Sequence, residues 1–279
     1  MNPKILFVTG KGGVGKTSVS IMLGLKSASK GIKTLIVQTY GAQRISSFFQ
    51  KPPAQYTPQQ IYTNLYTMSI TADQAIEEYA LQQLKFRKLY QLIFENRFAK
   101  PLINGAPGLH DAVHLGKIFD LVEREKWPQI IVDAPATGHA ISMLRSAKTM
   151  MELTKVGPMY NSNKLVHDLF SNPKITQLIL VTLLEHLPVQ ETRSLWNNLG
   201  SALQKQCQSL FCNKVIASPP HSPIDLAPDW KEVADNLSVQ YTRQQELYGL
   251  LNDIPLPKIQ IPILSDHSVH SWTNLGFSK

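Results

Sequence analysis

Short apolar runs alternate with longer helical repeats through most of this chain. Ile5 to Val8 is a run of the first kind, and Ser18 to Ser29 behind it reads as a helix. Thr34 to Val37, Ile130 to Val132, Gln177 to Leu183, Leu210 to Ala217 and Ile259 to Ile263 predict further strands. The near-continuous apolar character of Gln177 to Leu183 suggests burial on both faces. Thr71 to Lys100 has helical spacing: Ile76, Tyr79, Ala80 and Leu84 share a face, which Leu89, Leu92 and Ile93 continue with drift. Asp73 sits where a negative charge favours a helix N-terminus. Leu109 to Glu125, the stretches from His139 to Phe170, Val189 to Lys205 and Trp230 to Leu251 complete the predicted helices. Residues 50–60, rich in proline and glutamine, predict an exposed excursion. Strands alternating with helices predict an α/β fold, a mostly parallel sheet with helices on both faces. The block 71–125 interrupts the alternation and is expected to form a helical insertion or cap. With no internal repeat and no long linker, 1–279 reads as one domain.

Nucleotide binding is suggested by what joins the first strand to the first helix. The loop Gly10-Lys11-Gly12-Gly13-Val14-Gly15-Lys16-Thr17 has the form of a phosphate-binding (P-loop) turn, with Ser18 opening the helix behind it. Glycines let the backbone curl so that successive N–H groups face phosphate oxygens, and the helix dipole points the same way. Lys16 is placed to reach the β- and γ-phosphates, and the Thr17 hydroxyl to ligate Mg²⁺. A chance match in a chain of this length occurs about once in a hundred, and the flanking strand and helix make it rarer still. In such proteins an acid at the end of another strand holds Mg²⁺, directly or through water. Asp133 closes the strand Ile130–Val132 and is the candidate; capping the next helix is its alternative role, and one carboxylate can serve both.

Composition narrows the remaining classes. The chain has 279 residues and a net charge of +8, with Lys85, Arg87 and Lys88 the densest basic group. Such scatter favours an ordinary basic surface over nucleic-acid or membrane-surface association. No run of about 18 apolar residues is present to cross a bilayer, and a strand begins almost at once, leaving no room for a signal peptide. The only cysteines, Cys207 and Cys212, form neither a disulfide framework nor a CxxC metal pair. A cytoplasmic protein is expected.

The loop carries a second lysine, Lys11, and so resembles the deviant Walker A loop of the dimeric ATPases that include ArsA, MinD, ParA and the nitrogenase iron protein. That resemblance implies a nucleotide-sandwich dimer, homodimeric or built with a related ATPase, in which Lys11 acts on the partner's phosphates. Asp133-Ala134-Pro135-Ala136-Thr137-Gly138-His139 resembles the switch II segment of the ArsA group, the arsenite-pump and tail-anchored-protein-targeting ATPases. His139 belongs to that match. Asn213, followed by Lys214, resembles the group's adenine-reading asparagine; its amide can donate and accept at once. The likeness runs from Lys4 to about Ile263, including Leu180 to Thr192, and implies ATP and Mg²⁺ as cofactors and ATP hydrolysis driving a conformational switch.

The sequence departs from the family where switch I should read Asp-Pro-Ala-His-Ser. Here it is Tyr40-Gly41-Ala42-Gln43-Arg44, so Tyr40 replaces the Asp that orients water, although Ala42, Ser46 and Phe49 fit. A phenol is a poor base at neutral pH, and losing a placed base costs about 10²–10⁴ in rate. Weak hydrolysis follows, or a hydrolysis-deficient subunit beside a competent relative; Gln43 as the water-orienting group is less favoured. A positioning ATPase like MinD or ParA is a further alternative, against which stands the short polar ending Ser271 to Lys279. Two buried-type cysteines make arsenite stimulation an unfavoured expectation. Met143, Ala147 and Met150 share a helical face, with Met151 and Met159 nearby, and suggest either core packing or a groove for a hydrophobic-helix client. His110, His114, His267 and His270 show no ligand set.

Overall fold

The computed structural model describes residues 4–39, 44–84, 108–124, 127–216, 228–264, 269 and 272. Among these, eight strands form one sheet: β1 Ile5–Gly10, β2 Thr34–Gln38, β3 Gln59–Tyr62, β4 Leu65–Ser69, β5 Gln129–Asp133, β6 Thr176–Leu183, β7 Cys207–Val215 and β8 Lys258–Pro262. Their spatial order is β3-β4-β2-β5-β1-β6-β7-β8. Every neighbouring pair is parallel except β3 with β4. The helices are α1 Lys16–Ala28, α2 Arg44–Phe48, α3 Ala72–Leu84, α4 Leu109–Glu123, α5 Thr137–Thr154, α6 Pro158–Ser171, α7 His186–Leu199, α8 Ser201–Gln204 and α9 Pro228–Gly249.

Strand residues alternate between two cores. Ile5 and Phe7 of β1, Leu35 and Val37 of β2, Ile130 and Val132 of β5, and Leu178 and Leu180 of β6 face one hydrophobic cluster. Leu6 and Val8, Ile36, Ile131, and Ile179 and Val181 face the other. These four strands therefore have period 2 with both faces covered, so the sequence shows near-continuous apolar runs. Val19, Met22 and Leu25 of α1 and Ile45 of α2 fill the second cluster, whereas α4, α5 and α6 supply Leu115, Ile118, Met143, Ala147 and Phe170 to the first. This is the predicted α/β architecture.

Several boundaries differ from the sequence expectation for identifiable reasons. The predicted helix Val189 to Lys205 is two helices, because Gly200 turns the chain with a φ of 76°. The proline-rich excursion ends in a strand: Gln59–Tyr62 pairs antiparallel with Leu65–Ser69 around Asn64, whose φ is 57°. Only the first part of the predicted helix 71–100 is seen, as α3; residues 85–107 lie outside the described residues, and so do Lys85, Arg87 and Lys88. His110 and His114 lie on α4, where His114 is buried and burial pushes its pKa below the ordinary imidazole value; His267 and His270 lie outside the described residues. Cys207 and Cys212 are free and buried. No helix among the described residues is long and apolar enough to cross a membrane.

Candidate functional site

Parallel pairing brings four strand ends together. Gly10 at the end of β1 is level with Val181 of β6, and Val8 with Asp133 of β5, whose other neighbour is Gln38 of β2. The loop from Gly10 to Gly15 crosses this edge, where open α/β sheets bind ligands. Gly10 has to be glycine: a Cβ there would stand 2.2 Å from the Val181 carbonyl oxygen. Gly13 and Gly15 have φ of 87° and 93°, in the left-handed region that favours glycine. A Cβ on Gly15 would also lie 2.1 Å from Asn213 Nδ2, whereas one on Gly12 would meet nothing within 4 Å. Val14 is buried in the second core and pins the loop.

Helix α1 starts at Lys16 with Gly15 as its N-cap; no side chain caps it, and no acidic residue stands in its first turn. The N–H groups of Lys16, Thr17 and Ser18 thus open the helix at its positive end, in the arrangement that receives phosphate. Lys16 Nζ donates to the Lys11 carbonyl at 3.0 Å, so its ammonium lies back along the loop. Burial lowers the Lys16 pKa, opposed by the Asp133 charge and assisted by Arg44. A desolvated ammonium inside a ring of N–H donors is a strong partner for a polyanion.

Thr17 and Asp133 meet. Thr17 Oγ1 donates to Asp133 Oδ2 at 2.8 Å and Ser20 Oγ to Oδ1 at 3.4 Å. Burial raises the Asp133 pKa, while Thr17, Lys16, Ser20 and Arg44 each pull it down. The donor set suits Mg²⁺, which takes oxygen ligands. Adjacent oxygens of an octahedral Mg²⁺ lie about 3.0 Å apart, from a bond length near 2.1 Å, and the hydrogen-bonded Thr17 and Asp133 oxygens, 2.8 Å apart, are compatible with that. Thr39 Oγ1 donates to the Asp133 carbonyl at 3.5 Å, and the Ala134 N–H to the Val8 carbonyl at 3.1 Å, so the end of β5 is held from both sides. Four residues after Asp133, α5 begins at Thr137, with His139 exposed in its first turn.

Asn213 is buried near the end of β7, where its amide donates to the Val14 carbonyl at 2.9 Å. One of its two N–H groups therefore braces the loop. Lys11 pairs with Glu191 of α7 at 2.5 Å. Sequence reasoning missed Ser20, Arg44 and Glu191. Ser20 stands three residues after Thr17, the helical spacing that repeats a face, and could have been found. Nothing local marks the other two. Tyr40, Gly41, Ala42 and Gln43 lie outside the described residues. Met143 and Ala147 are fully enclosed in the core; Met150, also buried, borders a cavity of about 140 Å³ between α3, α4 and α6.

The sequence profile of the anion-transporting ATPases matches residues 3–157, which contain the loop, Asp133 and α5. The chain belongs to the anion-transporting ATPase family. It is, by that membership, an ATPase. ATPase BagA of Mycobacterium tuberculosis is 30% identical over 310 residues, covering 94% of this chain and 88% of that protein. The ATPase ASNA1 homolog of Cryptosporidium parvum is 26% identical over 311 residues, covering 99% of this chain and 80% of its own. ATPase ARSA2 of Chlamydomonas reinhardtii is 24% identical over 258 residues, covering 76% of this chain and 68% of its own. The family assignment agrees with the resemblance carried by the loop and the segment from Asp133 to His139.

Proposed function

We propose that the chain is a cytoplasmic, Mg²⁺-dependent ATPase that works as a nucleotide-driven dimeric switch, with residues 1–279 as one nucleotide-binding domain. The observation that carries this reading is the Thr17–Asp133 hydrogen bond, which joins the phosphate loop to the strand end from which α5 departs. The backbone of Gly10, Gly12, Gly13, Val14 and Gly15, the N–H groups of Lys16, Thr17 and Ser18, and the Lys16 ammonium hold the triphosphate. Thr17 and Asp133 would hold Mg²⁺, which would supply neutralisation of phosphate charge. A change in the Thr17–Asp133 contact on nucleotide binding moves the 134–137 turn, and α5 carries that shift into the helical layer with which it packs. Asn213 reads the adenine with its remaining amide groups. Lys11 reaches the partner's nucleotide, and the closed dimer is populated only as far as ATP binds it better than the separate subunits.

Tyr40 in place of the switch I Asp supports slow turnover, either in a homodimer or in a subunit that relies on a competent relative. Turnover of the purified chain, with its mass in solution measured with and without ATP, tests the reading. Slow phosphate release and doubling of mass on ATP are expected; a chain that stays monomeric with ATP loses the homodimeric switch. A second reading, capture of a hydrophobic helix, draws support from Met150 and the adjoining cavity lined by Leu109, Phe119 and Leu165. It requires ATP-dependent binding of a hydrophobic helical peptide and falls without it.

A further inference from the structure

The Lys11 ammonium lies 2.5 Å from Glu191 Oε1, with the lysine side chain 51% exposed and the glutamate 26%. The two ends of this pair are mounted differently. Lys11 sits on the exposed crest of the loop, followed by Gly12 and Gly13, around which there is open space. Glu191 belongs to α7, which is fixed to the sheet on both sides of it. Val189 is fully buried in the core, and Thr192 Oγ1 donates to Thr182 Oγ1 of β6 at 3.0 Å. The β6 end in turn lies against Gly10, where the loop begins. A carboxylate on a sheet-anchored helix therefore faces a half-exposed lysine side chain, whose main-chain carbonyl is held by Lys16. The second carboxylate oxygen, Glu191 Oε2, is buried and accepts no hydrogen bond among the described residues. Lys11 is then the donor that compensates this carboxylate, and withdrawing it leaves a poorly solvated charge behind.

We propose that Glu191 is a positioning residue that holds Lys11 in cis, and that closure of the ATP sandwich requires Lys11 to leave Glu191 for the partner's phosphates. The inference rests on the dimeric reading above. A carboxylate carries one negative charge and a triphosphate several, so the exchange runs towards ATP when a second subunit presents it. Until then Glu191 keeps the ammonium on its own subunit and raises the threshold for assembly. Released early, Lys11 would favour the dimer at lower protein or nucleotide concentration.

The test compares ATP-dependent dimerisation of the full chain, by sedimentation with ATP and Mg²⁺, for wild type, Glu191→Gln, Lys11→Ala and the double variant. Glu191→Ala serves as a second removal of the charge, and circular dichroism verifies that each variant is folded. Glu191→Gln and Glu191→Ala are expected to tighten the ATP-dependent dimer by about 2- to 5-fold, the range of partly exposed ion pairs. The effect should vanish in the Lys11→Ala background, because Glu191 acts through that lysine. An unchanged dimer constant in both Glu191 variants overturns the proposal, and so does a shift that persists without Lys11. If Lys11→Ala itself assembles with ATP as the wild type does, the trans role of Lys11 fails and the proposal with it. If Lys11→Ala weakens assembly while the Glu191 variants do nothing, only the Glu191 inference is lost.

Discussion

Two glycines of the same loop should respond very unequally to one added methyl group. At Gly10 the new Cβ would stand 2.2 Å from the Val181 carbonyl oxygen and 3.0 Å from Val14 Cγ2. The obstacle is backbone, paired with β1 through the register that joins Gly10 to Val181, so no rotamer change relieves it. Separating the atoms to an ordinary contact means prying apart the ends of β1 and β6. Overpacking of this kind costs about 1–3 kcal/mol, and a lost ladder hydrogen bond adds about 0.5–1.5 kcal/mol. Together that is about 2–4 kcal/mol, equivalent to a fall in Tm of roughly 4–16 °C for a domain of this size. At Gly12 the same methyl meets nothing within 4 Å, so Gly12→Ala should stay within about 0.5 kcal/mol of wild type. Thermal unfolding by circular dichroism, without nucleotide, compares the two. Any ATP affinity that Gly12→Ala loses is then lost at the loop and not through the fold. Equal Tm values for the two variants, or a larger loss at Gly12, would refute the placement of the loop against β6.

Asp133→Asn should stabilise the protein alone at neutral pH and abolish the Mg²⁺ dependence of ATP binding. The sign follows from burial, which raises the folded-state pKa above the unfolded one. The ionised carboxylate then costs stability increasingly as pH climbs through that interval, and fully above it; thermal melts from pH 4 to 8 check it, and a Tm lowered by the substitution at pH 7 contradicts it. Cys207 and Cys212, pushed up to about 12 by burial, should resist thiol reagents at pH 8 until the protein unfolds; labelling in the native protein as fast as in urea would contradict this. Tyr40→Asp should raise phosphate release by tenfold or more, out of the roughly 10²–10⁴ that a placed base supplies. A wild-type rate matching that of the variant sinks the lost-base explanation.

The sheet was legible because its central strands are covered on both faces: Ile5 to Val8 is an unbroken apolar run and Gln177 to Leu183 a near-continuous one. The glycine loop was legible for a different reason, since the left-handed φ of Gly13 and Gly15 is a local backbone requirement that residue type and spacing reveal. Strand β3 was not. Its register is specified by pairing with Leu65–Ser69, and Pro52, Pro53 and Pro58 mask it. Gly200 was overlooked as the break between α7 and α8 because apolar spacing continues across it. Within the site, Asp133 could be placed beside Thr17 only through the P-loop precedent. The contact spans 116 positions and depends on β5 pairing with β1. Glu191 shows the limit of such reading: its partner Lys11 is brought to it by the packing of α7 on β6, which no local pattern records.

Titration calorimetry of ATP into the purified chain with millimolar Mg²⁺, for wild type and Lys16→Ala, tests the central claim most directly. One ATP per chain is expected, with Lys16→Ala binding about 10- to 100-fold more weakly, the worth of a charged hydrogen bond to phosphate. A wild-type chain that takes up no ATP, or a Lys16→Ala variant that binds it equally well, would contradict the account.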